Sequence, residues 1–166
     1  MNGGEPRLGV DFGRVINDAS SHPTGDDTSF LGGTEEEVLA TPAMAGAFAS
    51  LTRLTAILEG RVWLVSKCGP DVQARTERWL AHQQFFEITG IDPSHVRFCL
   101  RRADKATHCS ELGITHFVDD RPEVLAHLVG VVPHLFLFGP QESPPPSYAI
   151  ATPTWEEAER QVLVTI

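Results

Sequence analysis

Five short apolar runs punctuate the chain, and none of them alternates with polar residues. They predict strands at Leu8 to Asp11, Arg61 to Ser66, Val96 to Leu100, His116 to Asp119 and His134 to Phe138. A strand reads this way when both of its faces are covered, which is the situation in a parallel sheet. The stretches between them follow the helical period. In "TPAMAGAFASLTRLTAILEG", Thr41 can cap, Pro42 can take the first helical position, and Met44, Phe48, Leu51, Thr55 and Leu58 share a face that ends at Gly60. In "GPDVQARTERWLAHQ", Pro70 opens a second helix whose stripe is Val72, Thr76, Trp79 and Leu80. "DKATHCSELG" and "RPEVLAHLVG" predict two more short helices. Strand and helix alternate without internal repeats, so the expected fold class is α/β: a doubly wound parallel sheet with helices on both faces. In such a sheet the loops at the carboxyl ends of the strands build the site.

Two segments stand outside the alternation. Residues 17–40 are polar and glycine-bearing with few core positions, and they read as an extended flap between the first strand and first helix. No second domain fits there. Residues 139–154 are rich in proline and read as extended, followed by a short amphipathic helix from Trp155 to Leu163 that docks on the core. The expected organisation is one domain over residues 1–166, with its core at about 8–138 and the proline-rich segment and terminal helix at 139–166.

Composition narrows the partners. With 166 residues, 42% of them hydrophobic, the chain suits one sizeable core, and its net charge of −9 argues against general binding to nucleic acid or to an anionic membrane. No apolar stretch approaches the roughly 20 residues of a membrane span, and "MNGGEPR" lacks the order of a signal peptide. A cytoplasmic location is expected; an oligomer is possible, but the oligomeric state is not readable from the sequence. The three cysteines, Cys68, Cys99 and Cys109, lack CxxC spacing and read as buried thiols.

The polar residues at the strand ends carry the chemistry. The first strand delivers Asp11, the second Ser66 and Lys67, the loop after the third Lys105, and the fourth Asp119 with Asp120. Any one of these is an ordinary cap, turn former or solvated charge. Together, acid, hydroxyl, lysine and paired acids on one edge are the set that phosphoryl transfer through a carboxylate requires. The carboxylate attacks phosphorus, a hard cation such as Mg2+ held by further carboxylates relieves the repulsion between anions, and hydroxyl and ammonium groups hold the phosphoryl oxygens. No G-x-x-x-x-G-K-[ST] loop occurs, which argues against an ATPase or kinase of that class.

"GVDFGRVIND", "VWLVSK", Lys105 in "RRADKATHC" and "THFVDDRPEVL" resemble, in order, the four motifs of the haloacid dehalogenase-like (HAD) superfamily. The similarity spans about residues 8–138, and its closest appearance is to the 5'-nucleotidase or deoxyribonucleotidase-like phosphatases. The resemblance implies a Rossmann-like HAD sheet, here without a cap domain, and hydrolysis of a phosphomonoester, such as a nucleotide monophosphate or another small phosphate ester. It implies Asp11 as nucleophile, Ser66 with Lys67 at the phosphate, and Lys105 securing both. It also implies Mg2+ held by Asp11, Asp119, Asp120 and the backbone carbonyl of Gly13, with Asp120 the direct ligand and Asp119 in support.

Gly13 departs from the pattern. Most HAD phosphatases carry an aspartate two residues after the nucleophile, which protonates the leaving oxygen and later activates water. Three outcomes are open: a working hydrolase with another acid, a module that binds Mg2+ and phosphate or a protein partner without turnover, or attack on carbon or a phosphonate. Asp18, His22, Asp26, Asp27 and Glu35 to Glu37 are local replacements for the acid. Phe12 and Trp63 read as core residues rather than base-stacking ones, with Phe30 open, and Arg101, Arg102 and Arg121 lie where a substrate anion could meet them.

Overall fold

The computed structural model describes residues 4–19 and 33–166. The five apolar runs form β1 (Leu8–Val10), β2 (Val62–Lys67), β3 (Val96–Cys99), β4 (His116–Asp119) and β5 (His134–Phe138), and a sixth strand, β6 (Ile150–Thr152), follows. The helices are α1 (Glu35–Ala40), α2 (Ala47–Ile57), α3 (Pro70–His82), α4 (Phe85–Thr89), α5 (Asp104–Leu112), α6 (Pro122–Leu128) and α7 (Trp155–Leu163). The strands form one sheet in the order β3-β2-β1-β4-β5-β6. Every neighbouring pair is parallel.

The sheet is covered on both faces, which is why its strands are continuously apolar. Leu8, Val10, Val62 and Leu64 point into one core with Leu51, Trp79, Phe85 and Trp155. Trp63, Val65 and Phe117 point into the other, with Cys109, Leu125 and Leu128 from α5 and α6. Phe12 packs edge-on against Trp79 at 5.3 Å, and Trp63 stacks on His95 at 4.4 Å, so both aromatics are core residues as expected. Gly9 has a steric role: a Cβ there would lie 2.5 Å from the ring of Phe117, its register partner on β4.

Several boundaries differ from the sequence expectation. The first long helix begins at Ala47, behind Gly46 at φ +80°, and not near Pro42. Residues 42–44 are instead tied to the loop after β1: Ala43 bridges Asn17, the Met44 N–H donates to Ile16 O, and the Asp18 N–H donates to Pro42 O. Thr41 therefore does not start that helix; it ends α1, its N–H donating to Val38 O and its hydroxyl to Glu37 O. The described parts of the 17–40 stretch are not an extended flap, since α1 buries Val38 and the loop buries Asn17 and Ala19. Leu100 lies beyond the end of β3 and is exposed. The proline-rich segment supplies β6, whose hydrogen bonds to β5 make it the sheet's edge.

The C-terminal helix docks on the core. Trp155 is fully buried and its indole N–H donates to Val15 O at 2.7 Å, while Glu159 accepts from Ser50 and Arg53 on α2, both at 2.7 Å. Behind it, His116 is buried between Thr115 (2.6 Å) and Thr165 (3.0 Å), its ring stacked on His134 at 4.5 Å. Burial, and then the neighbouring His134, push the His116 imidazole down to about 4.

Two stability predictions follow from this packing. Between pH 6.5 and about 4 the unfolded chain binds a proton at His116 that the native state refuses, so stability is fully present above 6.5 and falls as the pH drops through that window. Urea unfolding midpoints should show that slope, and His116→Gln should flatten it. Gly9→Ala should drive a methyl into a fully buried ring and lower the unfolding free energy by about 1–3 kcal/mol in urea.

Candidate active site

The register of the central strands decides which side chains meet. Val10 is level with Leu64 on β2 and with Val118 on β4, and the Asp11 N–H donates to Val118 O at 3.0 Å. Asp11 and Asp119 thus leave adjacent strands at the same height, with Ser66 and Lys67 at the end of β2 on the other side of β1. The chain runs from β1 to β2 on one side and returns to β4 on the other, so the crevice opens where the sheet order reverses. A cleft of about 220 Å³ lies there, and Asp11, Gly13, Ser66, Lys67, Lys105 and Asp119 all line it.

Lys105 sits in the first turn of α5 with its side chain buried against the sheet. Its ammonium donates to Asp11 Oδ1 at 2.8 Å and to Asp119 Oδ2 at 2.9 Å, and lies 5.6 Å from the centre of the Phe117 ring. Burial alone would lower the affinity of this amine for its proton, but the two carboxylates outweigh burial and hold Lys105 above its ordinary value. The Arg121 N–H donates to the other oxygen of Asp119 at 3.0 Å, so that carboxylate is fixed on both sides.

One ammonium faces more than its share of negative charge. Carboxylate oxygens of Asp11, Asp119 and Asp120 lie within 4.8 Å of one another. Asp119 is pushed above the usual carboxylate range by burial and then by the Asp11 charge, despite its bond to Lys105. Asp120 is pushed up further, by burial and by both neighbouring carboxylates, and its buried Oδ1 has no hydrogen-bond partner. An unpaired buried oxygen and a surplus of negative charge fit a hard cation, which takes oxygen ligands. Asp11, Asp119 and Asp120 could hold Mg2+ there.

The surroundings sort the remaining sequence expectations. Arg102 and Arg121 line the cleft beside Glu123, at 3.4 and 3.9 Å, whereas Arg101 is exposed and pairs with Asp104. Of the residues suggested to replace an acid at position 13, Asp18 and Glu35 to Glu37 do not line the cleft, and Glu35 pairs with Arg78 at 2.8 Å. His22, Asp26, Asp27 and Phe30 fall outside the described residues. Cys68, Cys99 and Cys109 are free and buried, as expected. Cys68 lines the cleft, and burial pushes its thiol up to about 11.

Three contributors escaped the sequence reading. Phe117 lies under the ammonium, Gly9 makes room for that ring, and Asn17, buried in the cleft wall, accepts from the Arg14 N–H through Oδ1 at 3.0 Å. An asparagine directly after the apolar pair Val15-Ile16 is the signal that could have pointed to the last of these. Among the described residues, no helix is long and apolar enough to cross a membrane.

No protein-family model matches the sequence, and no curated protein matches it. Solved structures do share its architecture. A haloacid dehalogenase-like family hydrolase from Xanthomonas campestris superposes with a TM-score of 0.65 at 10% identity, over 97% of this chain and 96% of that one. A HAD family hydrolase from Deinococcus radiodurans, solved with bound phosphate and sodium, gives 0.60 at 12% identity, over 98% and 96%. The six-stranded parallel sheet with its flanking helices is therefore the Rossmann-like α/β fold of HAD hydrolases.

Proposed function

We propose that this chain is a HAD-like, Mg2+-dependent phosphohydrolase that works through an aspartyl-phosphate on Asp11. The observation that carries the reading is Lys105 clamped between Asp11 and Asp119 beside the unpartnered oxygen of Asp120, in a cleft shared with Ser66. The phosphate and sodium bound to the Deinococcus radiodurans hydrolase of the same fold support it. The nucleophile is the Asp11 oxygen left free by Lys105, which attacks phosphorus in line with the departing oxygen. Lys105 fixes that carboxylate's direction and, with the Ser66 hydroxyl and Lys67, holds the phosphoryl oxygens as charge builds on them. Asp11, Asp119, Asp120 and the carbonyl of Gly13 would hold Mg2+, which would supply charge neutralisation between nucleophile and phosphate. The substrate is a small phosphate ester, with nucleotide monophosphates the class suggested by the "DDRP" stretch at residues 119–122.

Gly13 favours a second reading, in which the same residues bind Mg2+ and phosphate without turnover. The two part on phosphate release. With Mg2+ and a panel of nucleotide, sugar and aryl phosphates, the hydrolase should release phosphate, and Asp11→Asn or chelation by EDTA should abolish it. No release above the Asp11→Asn background from any donor would sink the hydrolase reading.

Metal binding has its own readout. A ligand that binds only the native state at 100 times its Kd adds about 2.7 kcal/mol of stability. Titrating Mg2+ should raise the unfolding midpoint, and Asp120→Asn should blunt that rise by removing the unpartnered oxygen's charge.

A further inference from the structure

We infer that the substrate is a phosphate donor whose leaving group departs without protonation, such as an acyl phosphate, a phosphoric anhydride or an activated aryl ester, and that the phosphorylated chain accumulates during turnover. The inference rests on the phosphohydrolase reading above and narrows it.

The basis is the set of proton donors around the cleft. Among the described residues that line it, the only carboxylates are Asp11 and Asp119, and there is no histidine; Asp120, whose oxygen lies within 4.8 Å of theirs, is assigned above to the metal, and the Cys68 thiol in the wall is a far weaker acid. Asp11 is the proposed nucleophile, and both Asp119 oxygens are already bonded, one to Lys105 and one to the Arg121 N–H. The buried Lys105 ammonium is committed to two carboxylates at 2.8 and 2.9 Å. Arg102 and Arg121 line the cleft too, but a guanidinium does not give up its proton in a protein. Lys67 is exposed at the end of β2, and its charge is assigned above to the phosphoryl oxygens rather than to the leaving oxygen. Position 13, which lines the cleft beside the nucleophile, has no side chain.

The consequence differs for the two chemical steps. In the first, the Asp11 oxygen forms a bond to phosphorus while the bond from phosphorus to the leaving oxygen breaks, and that oxygen takes the electron pair. An alkoxide leaving in this way needs a proton that none of the described residues is placed to supply, whereas a carboxylate, phosphate or nitrophenolate does not. In the second step a water oxygen bonds to phosphorus, the bond to Asp11 breaks, and the water's proton passes to bulk solvent. Among the described residues no base is positioned to assist that attack. With an activated donor the first step is fast and the second slow, so the phosphoenzyme builds up. The cleft's modest size, about 220 Å³ against the roughly 300 Å³ or more of drug-sized sites, also suits a compact donor.

The test uses the full chain with Mg2+ and a donor series of acetyl phosphate, 4-nitrophenyl phosphate, phenyl phosphate, glycerol 3-phosphate and a nucleoside monophosphate. The expected result is a burst of 4-nitrophenolate stoichiometric with the chain, and a gain of one HPO3 in intact mass that is absent in Asp11→Asn. From 4-nitrophenyl to glycerol phosphate, kcat/KM should fall by about 10²–10⁴-fold, the size of a missing general acid. Gly13→Asp should flatten that dependence and shorten the lifetime of the phosphoenzyme. Similar rates across the series with no burst would overturn the inference and leave the phosphohydrolase standing. Absence of both phosphate release and phosphoenzyme with every donor would overturn the phosphohydrolase reading, and this inference with it.

Discussion

An ammonium group buried away from water costs several kcal/mol unless opposite charge is set against it in good geometry. Lys105 is buried with two carboxylates under 3 Å away, and the central architecture can be understood as what makes that arrangement possible. The two acids come from the first and fourth strands of the chain, yet they reach one atom because β1 and β4 run parallel with Val10 level with Val118. The ring of Phe117 underlies the ammonium, and that ring fits only because its register partner is a glycine. Sheet register, a missing side chain and an aromatic face thus converge on one charge.

The clamp settles the position of Asp11 but not the charge of the site. Lys105 is shared between Asp11 and Asp119, and Asp120 is left beside them with a buried oxygen that nothing satisfies. Folding around such a group is unfavourable in the absence of a cation, since each carboxylate raises the proton affinity of the next. The fold bears that strain through its two apolar cores, which pack every strand of the sheet's centre on both faces. Destabilised acids at the end of a well-packed sheet are what a site for a charged ligand demands: the scaffold keeps the carboxylates together although they repel.

How much of this could be read from the sequence depended on how local the determining interaction was. The first five strands were legible, the central four because burial on two faces leaves a continuous apolar run, and α3 was legible because Pro70 and its stripe are local signals. β6 was not, since Ile150 and Ala151 are exposed and the strand exists through its hydrogen bonds to β5 rather than through its own pattern. The early start expected for α2 failed for a similar reason: Thr41 and Pro42 look like a helix start, but pairing of residues 42–44 with the loop after β1 outweighs the local signal. At the site, Asp11, Ser66, Lys67, Asp119 and Asp120 were legible as residue types at strand ends, and Lys105 as the lysine that follows β3. That Asp119 would be gripped from two sides, or that Phe117 would lie under Lys105, depends on contacts between distant segments, which no single stretch encodes.

Gly13 connects these levels. It lines the same cleft as the clamped Asp11, at the first turn beyond β1, where Asn17 ties the turn through the Arg14 N–H. The turn is well anchored: Phe12 is held against Trp79, and the carbonyl of Phe12 accepts from the N–H groups of Val15, Ile16 and Asn17. A side chain missing from an anchored wall is a different matter from one missing from a loose loop, because the space beside Asp11 is kept open by its neighbours. The groups that orient Asp11 are therefore independent of the group that would move protons for it. On the proposed function, a site built this way would keep its hold on metal and phosphate while its proton chemistry was set by the substrate, and the leaving group would do the selecting that a side chain performs elsewhere.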